Sequence, residues 1–256
     1  MYQRPDAPLS IGGVLDDGFR LLKSSFGKLF VLALISAFFG QIPNYFIGGT
    51  PAEQLEALTA TTFVWLGISF LLSIIFYGAL IARVHAVANG DDLSLGGALA
   101  VGARRFFPLL ACFILYSLAL VAGTLALVIP GIILSLSLVF APYLVITDRL
   151  GPVAAIKRSH NLVWGNWWRT AGILTVVIFI IFAAYFLMGL LAALQAVFGT
   201  DGAAAGLSFF AYIFAALMTA IISPMIYAFS MSILNDLKLR KEGADLEARM
   251  GEIENA

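Results

Sequence analysis

The chain has 256 residues, of which 61% are apolar and only 12% charged, whereas ordinary soluble domains reach roughly 45–50% apolar even with glycine counted. A water-soluble core cannot hide that much apolar surface, and the formal net charge of zero removes the global basic field that nucleic-acid binding uses. The single cysteine, Cys112, lies in an apolar run and supports neither an internal disulfide nor a thiolate metal cluster.

The first 25 or so residues are charged and amphipathic rather than a basic start followed by an apolar leader, so no cleaved signal is expected. On a helical wheel Ile11, Val14, Leu15, Phe19, Leu22 and Phe26 share one side, and Asp16, Asp17, Arg20, Lys23 and Ser24 share the other. A helix over 10–25 is therefore predicted to lie along the membrane surface, with Ser10 at its N-cap.

Crossing a hydrocarbon core of about 30 Å takes roughly 20 apolar helical residues. Six stretches approach that length: 29–48, 62–84, 107–129, 131–147, 170–197 and 207–234. The fourth contains Pro142, which removes a backbone donor and predicts a kink or a partly re-entrant helix. Between the third and fourth spans the sequence offers only Pro130-Gly131 as a turn, which would fold the two into an antiparallel hairpin. Gly199 to Gly206 joins the fifth and sixth, and a longer segment, Gly40 to Thr61, joins the first and second.

A weak repeat supports the grouping. LSIGGVL at 9–15 recurs as LSLGGAL at 93–99, and a degenerate third copy starts at Gly151-Pro152 and reaches Trp167-Trp168. Each unit reads as a surface helix (about 10–25, 94–105 and 152–166) followed by a transmembrane hairpin. The expected fold is thus all-α, one six-span membrane domain over 1–238 with a charged tail over 239–256. Aromatic residues at the starts of spans, Phe106, Phe107, Trp164, Trp167 and Trp168, fit the headgroup level.

Orientation follows from the cations. With six spans and an inside N-terminus, Arg20, Lys23, Lys28, Arg83, Arg104, Arg105, Arg149, Lys157, Arg158, Arg169 and Lys238 all fall in the cytoplasm, while the outer loops carry Glu53, Glu56 and Asp201. Both termini are expected inside.

Ionisable residues near the centre of a span usually mark proton or ion paths, and the six stretches hold none, so ion-coupled transport is not expected. Uncharged groups such as Ser73, Tyr77, Tyr116 and Tyr227 either line a cavity or bond between helices. His85 and His160 are the only histidines, and no metal-binding, nucleophile-elbow or phosphate-loop pattern occurs, so no cofactor, metal or catalytic residue is assigned. Arg20, Lys23, Arg104, Arg105, Lys157 and Arg158 sit on or beside the amphipathic helices, where they either contact anionic lipid headgroups or only enforce topology.

Three passages, LSIGGVLDDGFRLLKSSFGKL, APYLVITDRLGPVAAIKRSHNLVWGNWW and SPMIYAFSMSILNDLKLRKEGADLE, carry a resemblance. They are similar to the membrane domain associated with bacterial glycerophosphoryl diester phosphodiesterases and to stand-alone inner-membrane proteins of the YciC type. Asn235 departs from that pattern, which more usually has tyrosine there. The resemblance implies a multi-pass protein of the bacterial cytoplasmic membrane. It does not imply hydrolysis, because the chemistry of the fused enzymes belongs to a separate soluble barrel that this sequence lacks. The expected role is a non-catalytic scaffold or envelope-maintenance module, with lipid or small-amphiphile binding as the alternative.

Overall fold

The computed structural model describes residues 2–47, 59–198 and 204–254, and these are helical apart from short connections. In chain order the helices are α1 (Ile11–Ile47), α2 (Ala60–Ala88), α3 (Leu95–Arg104), α4 (Phe106–Ala126), α5 (Val128–Leu138), α6 (Ala141–Thr147), α7 (Pro152–Val163), α8 (Trp167–Phe198) and α9 (Ala204–Glu254). Among the described residues, Ile11–Gly40, Ala60–Ala88, Phe106–Ala126, Val128–Thr147 and Ile213–Gly243 are each long and apolar enough to cross a membrane. α7 together with Trp167–Ala183 makes a sixth if a pair bent by 97° counts as one span. Glu53, Glu56 and Asp201, assigned above to outer loops, lie outside the described residues.

The opening helix differs from expectation. No break separates a surface helix over 10–25 from a span beginning at 29, because α1 is one helix of 37 residues. Ser10 does start it, its hydroxyl accepting from the Gly13 N–H at 3.0 Å. At the expected junction Ser24 and Ser25 donate back to the Leu21 carbonyl at 2.9 and 2.7 Å, so their hydroxyls are spent inside the helix rather than ending it.

α1 packs along α9, and this contact decides which face is buried. Val14, Leu21, Leu29 and Leu32 have no exposure, and a Cβ on Gly18 would stand 2.6 Å from the Phe229 ring. The packed face is rotated from the wheel reading: Ile11 and Phe19 are about half exposed, while Asp17, expected on the polar side, is 1% exposed. An amphipathic stripe read alone assumes one apolar surface, but here a second helix covers the polar side.

The turn between α4 and α5 is at Leu127 (φ −170°, ψ 152°), not at Pro130-Gly131, and Pro130 lies in the first turn of α5, where a missing N–H costs nothing. The glycines serve the crossing instead. A Cβ on Gly131 would meet Thr124 Oγ1 at 2.5 Å, and one on Gly123 would meet Leu134 Cδ1 at 2.8 Å. A kink expected near Pro142 is present as an interruption at Val139–Phe140, with Pro142 in the first turn of α6. Just before the break, the Ser137 carbonyl accepts from the buried Ser159 hydroxyl of α7 at 2.8 Å. Ser159 is therefore a structural tie between α7 and the broken span.

Two short helices brace this end. α3 starts at Ser94, whose hydroxyl accepts from Gly97 N–H at 3.1 Å, and crosses α2 so closely that a Cβ on Gly102 would collide with the Ile75 carbonyl oxygen. α7 starts at Pro152 and ends before Gly165, whose φ of +96° turns the chain sharply into α8. α9 runs for 51 residues, about 76 Å at 1.5 Å per residue, and no helix break marks the expected start of a tail at 239.

A candidate anion-binding pocket

One end of the bundle is held by polar ties rather than by apolar packing alone. Two buried carboxylates on or against α9 organise it. The Asp236 carboxylate accepts from the Leu9 N–H at 2.8 Å, from Arg169 NH2 at 3.1 Å and from Arg240 Nε at 3.0 Å. Both guanidiniums also donate to the Leu9 carbonyl, that of Arg169 at 2.6 Å. Asp17 accepts from the Tyr2 phenol at 3.0 Å, the Ser232 hydroxyl at 2.7 Å and Arg20 NH2 at 3.1 Å. Burial, and then the Asp17 charge, push the Tyr2 phenol well above its ordinary range.

Other ties run between elements. Lys28 on α1 donates to Asp92 at 2.7 Å and holds its carboxyl below the usual carboxylate range. Asp148, after α6, accepts from Lys238 of α9 and from the Thr147 hydroxyl. Burial pushes the Asp148 carboxyl up, but these two donors and the nearby Lys238 and Arg158 charges outweigh it, and the net shift is downward.

These pairs consume Asp17, Asp92, Asp148 and Asp236, and a cationic pocket lies beside Asp92 and Asp148. The last turn of α2, the α3–α4 junction and the residues after α6 enclose about 550 Å³. Arg104, Arg105 and Arg149 line it with His85 and Asn89, and Asp91 is the one carboxylate on its wall. None of the five ion pairs among the described residues engages those three arginines. Arg105 donates to the Arg149 carbonyl at 3.3 Å, and Asn89 Nδ2 lies 3.1 Å from His85 Nε2. Arg149 adopts φ +55°, a left-handed conformation that costs a bulky residue about 1 kcal/mol or more. Three delocalised cations around one carboxylate form a pocket suited to a phosphate, which guanidinium forks bind through paired N–H donors.

Of the six cations singled out from the sequence, the structure brings Arg104 and Arg105 into this pocket. Arg20 is spent on Asp17, Lys23 and Lys157 are exposed on α1 and α7, and Arg158 is half-buried and acts on Asp148. Arg149 and His85, absent from that set, come from other elements. His85 could have been found as a polar residue beside Arg83 at the end of a span, but nothing local marks Arg149. Trp168 and Phe107, read as interfacial aromatics, are 84% and 77% exposed.

The profile of the uncharacterised protein family UPF0259 matches residues 44–234. A UPF0259 membrane protein of Pectobacterium carotovorum subsp. carotovorum (strain PC1) is 32% identical over 125 residues, 48% of this chain and 48% of that protein. Another, from Serratia proteamaculans (strain 568), is 22% identical over 189 residues, 62% of this chain and 75% of that protein. A third, from Photorhabdus laumondii subsp. laumondii, is 29% identical over 119 residues, 43% of this chain and 46% of that protein. The chain thus spans about half the length of the Pectobacterium and Photorhabdus relatives. No solved structure matches it.

Proposed function

The chain belongs to the UPF0259 family of multi-pass membrane proteins, and on that footing we propose that it is a non-catalytic module that binds the phosphate headgroup of anionic lipids. The observation that carries this reading is the pocket of Arg104, Arg105 and Arg149, three guanidiniums without a carboxylate partner at one end of the bundle. The site faces the cytoplasm of a bacterial inner membrane, with both termini inside, because the cations cluster at that end. In this arrangement α3 and α7 are interfacial helices, each leading into a transmembrane hairpin.

The test is competition in native mass spectrometry between phosphatidylglycerol and phosphatidylcholine of matched chains. The wild-type protein retains the anionic lipid preferentially, and Arg104→Gln with Arg149→Gln abolishes the preference. Parity in the wild type sinks the reading, and turnover of a glycerophosphodiester by the purified protein sinks the non-catalytic part.

A second reading, a scaffold, draws on α9, whose 51 residues exceed what a bilayer needs and extend the cytoplasmic surface available to partners. Capture of a defined partner that is lost on truncation after Lys238 supports it, and an unchanged set of partners excludes it.

A further inference from the structure

An open groove of about 600 Å³ lies farther along the bundle, where α1, α2, α4 and α9 meet. Its wall is apolar on the α2 and α4 sides, with Phe70, Ile74, Phe113, Ile114 and Leu118. Hydroxyls from four helices nevertheless reach it: Ser36, Ser73, Tyr77, Ser117 and Tyr227. Ser73 is satisfied by the Phe70 carbonyl at 2.7 Å. Tyr227 is not. Its side chain is 8% exposed, lines the groove, and its phenol makes no hydrogen bond with any described residue; nor does that of Tyr77, whose ring meets it edge-on at 5.6 Å. Behind them Tyr143 packs with its ring centroid 6.3 and 6.5 Å from those of the two rings.

A phenol that opens on an apolar groove inside a membrane has no water to bond and needs an acceptor, and the surrounding helices spend their carbonyls on their own backbone. The acceptor must come from what enters the groove. Depth narrows its chemistry. Tyr77 lies five residues before Ala82, the first α2 residue on the wall of the arginine pocket, roughly 8 Å along the axis, while the headgroup layer of one leaflet is about 5–8 Å deep. With the arginine cluster at phosphate level, the two phenols stand where glycerol ester carbonyls lie, and the apolar wall beyond them follows the direction of an acyl chain.

We infer that this groove holds the ester and upper acyl chain of a glycerolipid, with Tyr77 and Tyr227 donating to an ester carbonyl and Phe113, Ile114 and Leu118 covering the chain. The inference deepens the lipid-binding reading and rests on it.

The test uses the full chain in native mass spectrometry, competing diester phosphatidylglycerol against its diether analogue, which has the same headgroup and chains but no carbonyls. One to two hydrogen bonds correspond to about a two- to tenfold preference for the ester form. Tyr227→Phe, which removes only a hydroxyl, brings the ratio toward parity with thermal stability unchanged or higher. Equal retention of ester and ether by the wild type overturns the inference, as does a full ester preference in Tyr227→Phe, or a dimer in which a second copy excludes lipid from the groove. The headgroup reading is judged separately: loss of the preference for phosphatidylglycerol over phosphatidylcholine with the ester preference intact sinks that reading alone.

Discussion

Leu9 and Asp236 meet across 227 positions of sequence, the Leu9 N–H donating to the Asp236 carboxylate at 2.8 Å. The same carboxylate neutralises Arg169 from the start of α8 and Arg240 one turn farther along α9. The segment before α1, the start of α8 and the long helix α9 are thus pinned at one buried charge. Replacing Asp236 with Ala strands two partly buried guanidiniums and one backbone N–H, at a cost of about 3–5 kcal/mol. The expected result is a lowered melting temperature in detergent; an unchanged one would remove the clamp from the account of stability.

Arg149 combines a strained backbone with a place in the cationic pocket, so stability and binding should move in opposite directions there. Arg149→Gly relieves the left-handed conformation and stabilises the fold by about 1 kcal/mol, while retention of anionic lipid falls. Thermal unfolding and lipid competition on the same preparation separate the two effects. If both fall together, Arg149 is a packing residue.

Acid should weaken the tie between α6 and α9. The Asp148 carboxyl titrates below its ordinary value of 3.8 in the folded chain. The unfolded chain therefore binds the proton first, and the stability the group contributes is complete above that value and lost as pH falls through the lowered one. Unfolding of Asp148→Asn should show a shallower loss below about pH 4 than the wild type, because the variant has no proton to take up there. Parallel acid profiles would place the acid sensitivity elsewhere.

Gly102 tests the crossing of α3 over α2. An alanine methyl would press on the Ile75 carbonyl and the Ala79 amide, backbone atoms that cannot swing aside. Gly102→Ala should cost about 1–3 kcal/mol and loosen the pocket that Arg104 and Arg105 line. Gly96, whose added Cβ meets nothing, serves as the control: Gly96→Ala should be neutral or stabilising.

Orientation is open to cysteine labelling, since Cys112 has no exposure and gives little background. Cysteines placed at Lys157 or Arg105 should react with a membrane-impermeant maleimide only after the cells are opened, and one placed at Glu53 should react in intact cells. The reverse pattern would invert the topology.

How much of this was legible beforehand depends on the range of the interaction. Membrane-spanning segments, the caps at Ser10 and Ser94, the Pro152 start of α7 and the interruption near Pro142 all follow from apolar length or from the chemistry of one or two adjacent residues, so they could be read directly. Leu127 as the α4–α5 turn is not legible, because Pro130-Gly131 looks like a stronger breaker, yet proline is at ease in a first helical turn and the glycine is needed where two helices touch.

The candidate site divides the same way. Arg104 and Arg105 stood out because cations beside an amphipathic helix are a local pattern. Which cations stay unpaired could not be read, because that depends on where distant carboxylates go: Asp236 to Arg169 and Arg240, Asp17 to Arg20, Asp148 to Lys238. Asp17 shows the limit most plainly. Its place on a polar stripe is a property of α1 alone, and its burial is a property of α9 lying across that stripe. Composition and periodicity settle that these helices enter a membrane, because the cost of burying an apolar or charged group depends on the residue and its neighbours in sequence. The packing of α1, α8 and α9 settles which charges are spent on the fold and which remain for a ligand, because charge pairing acts through space.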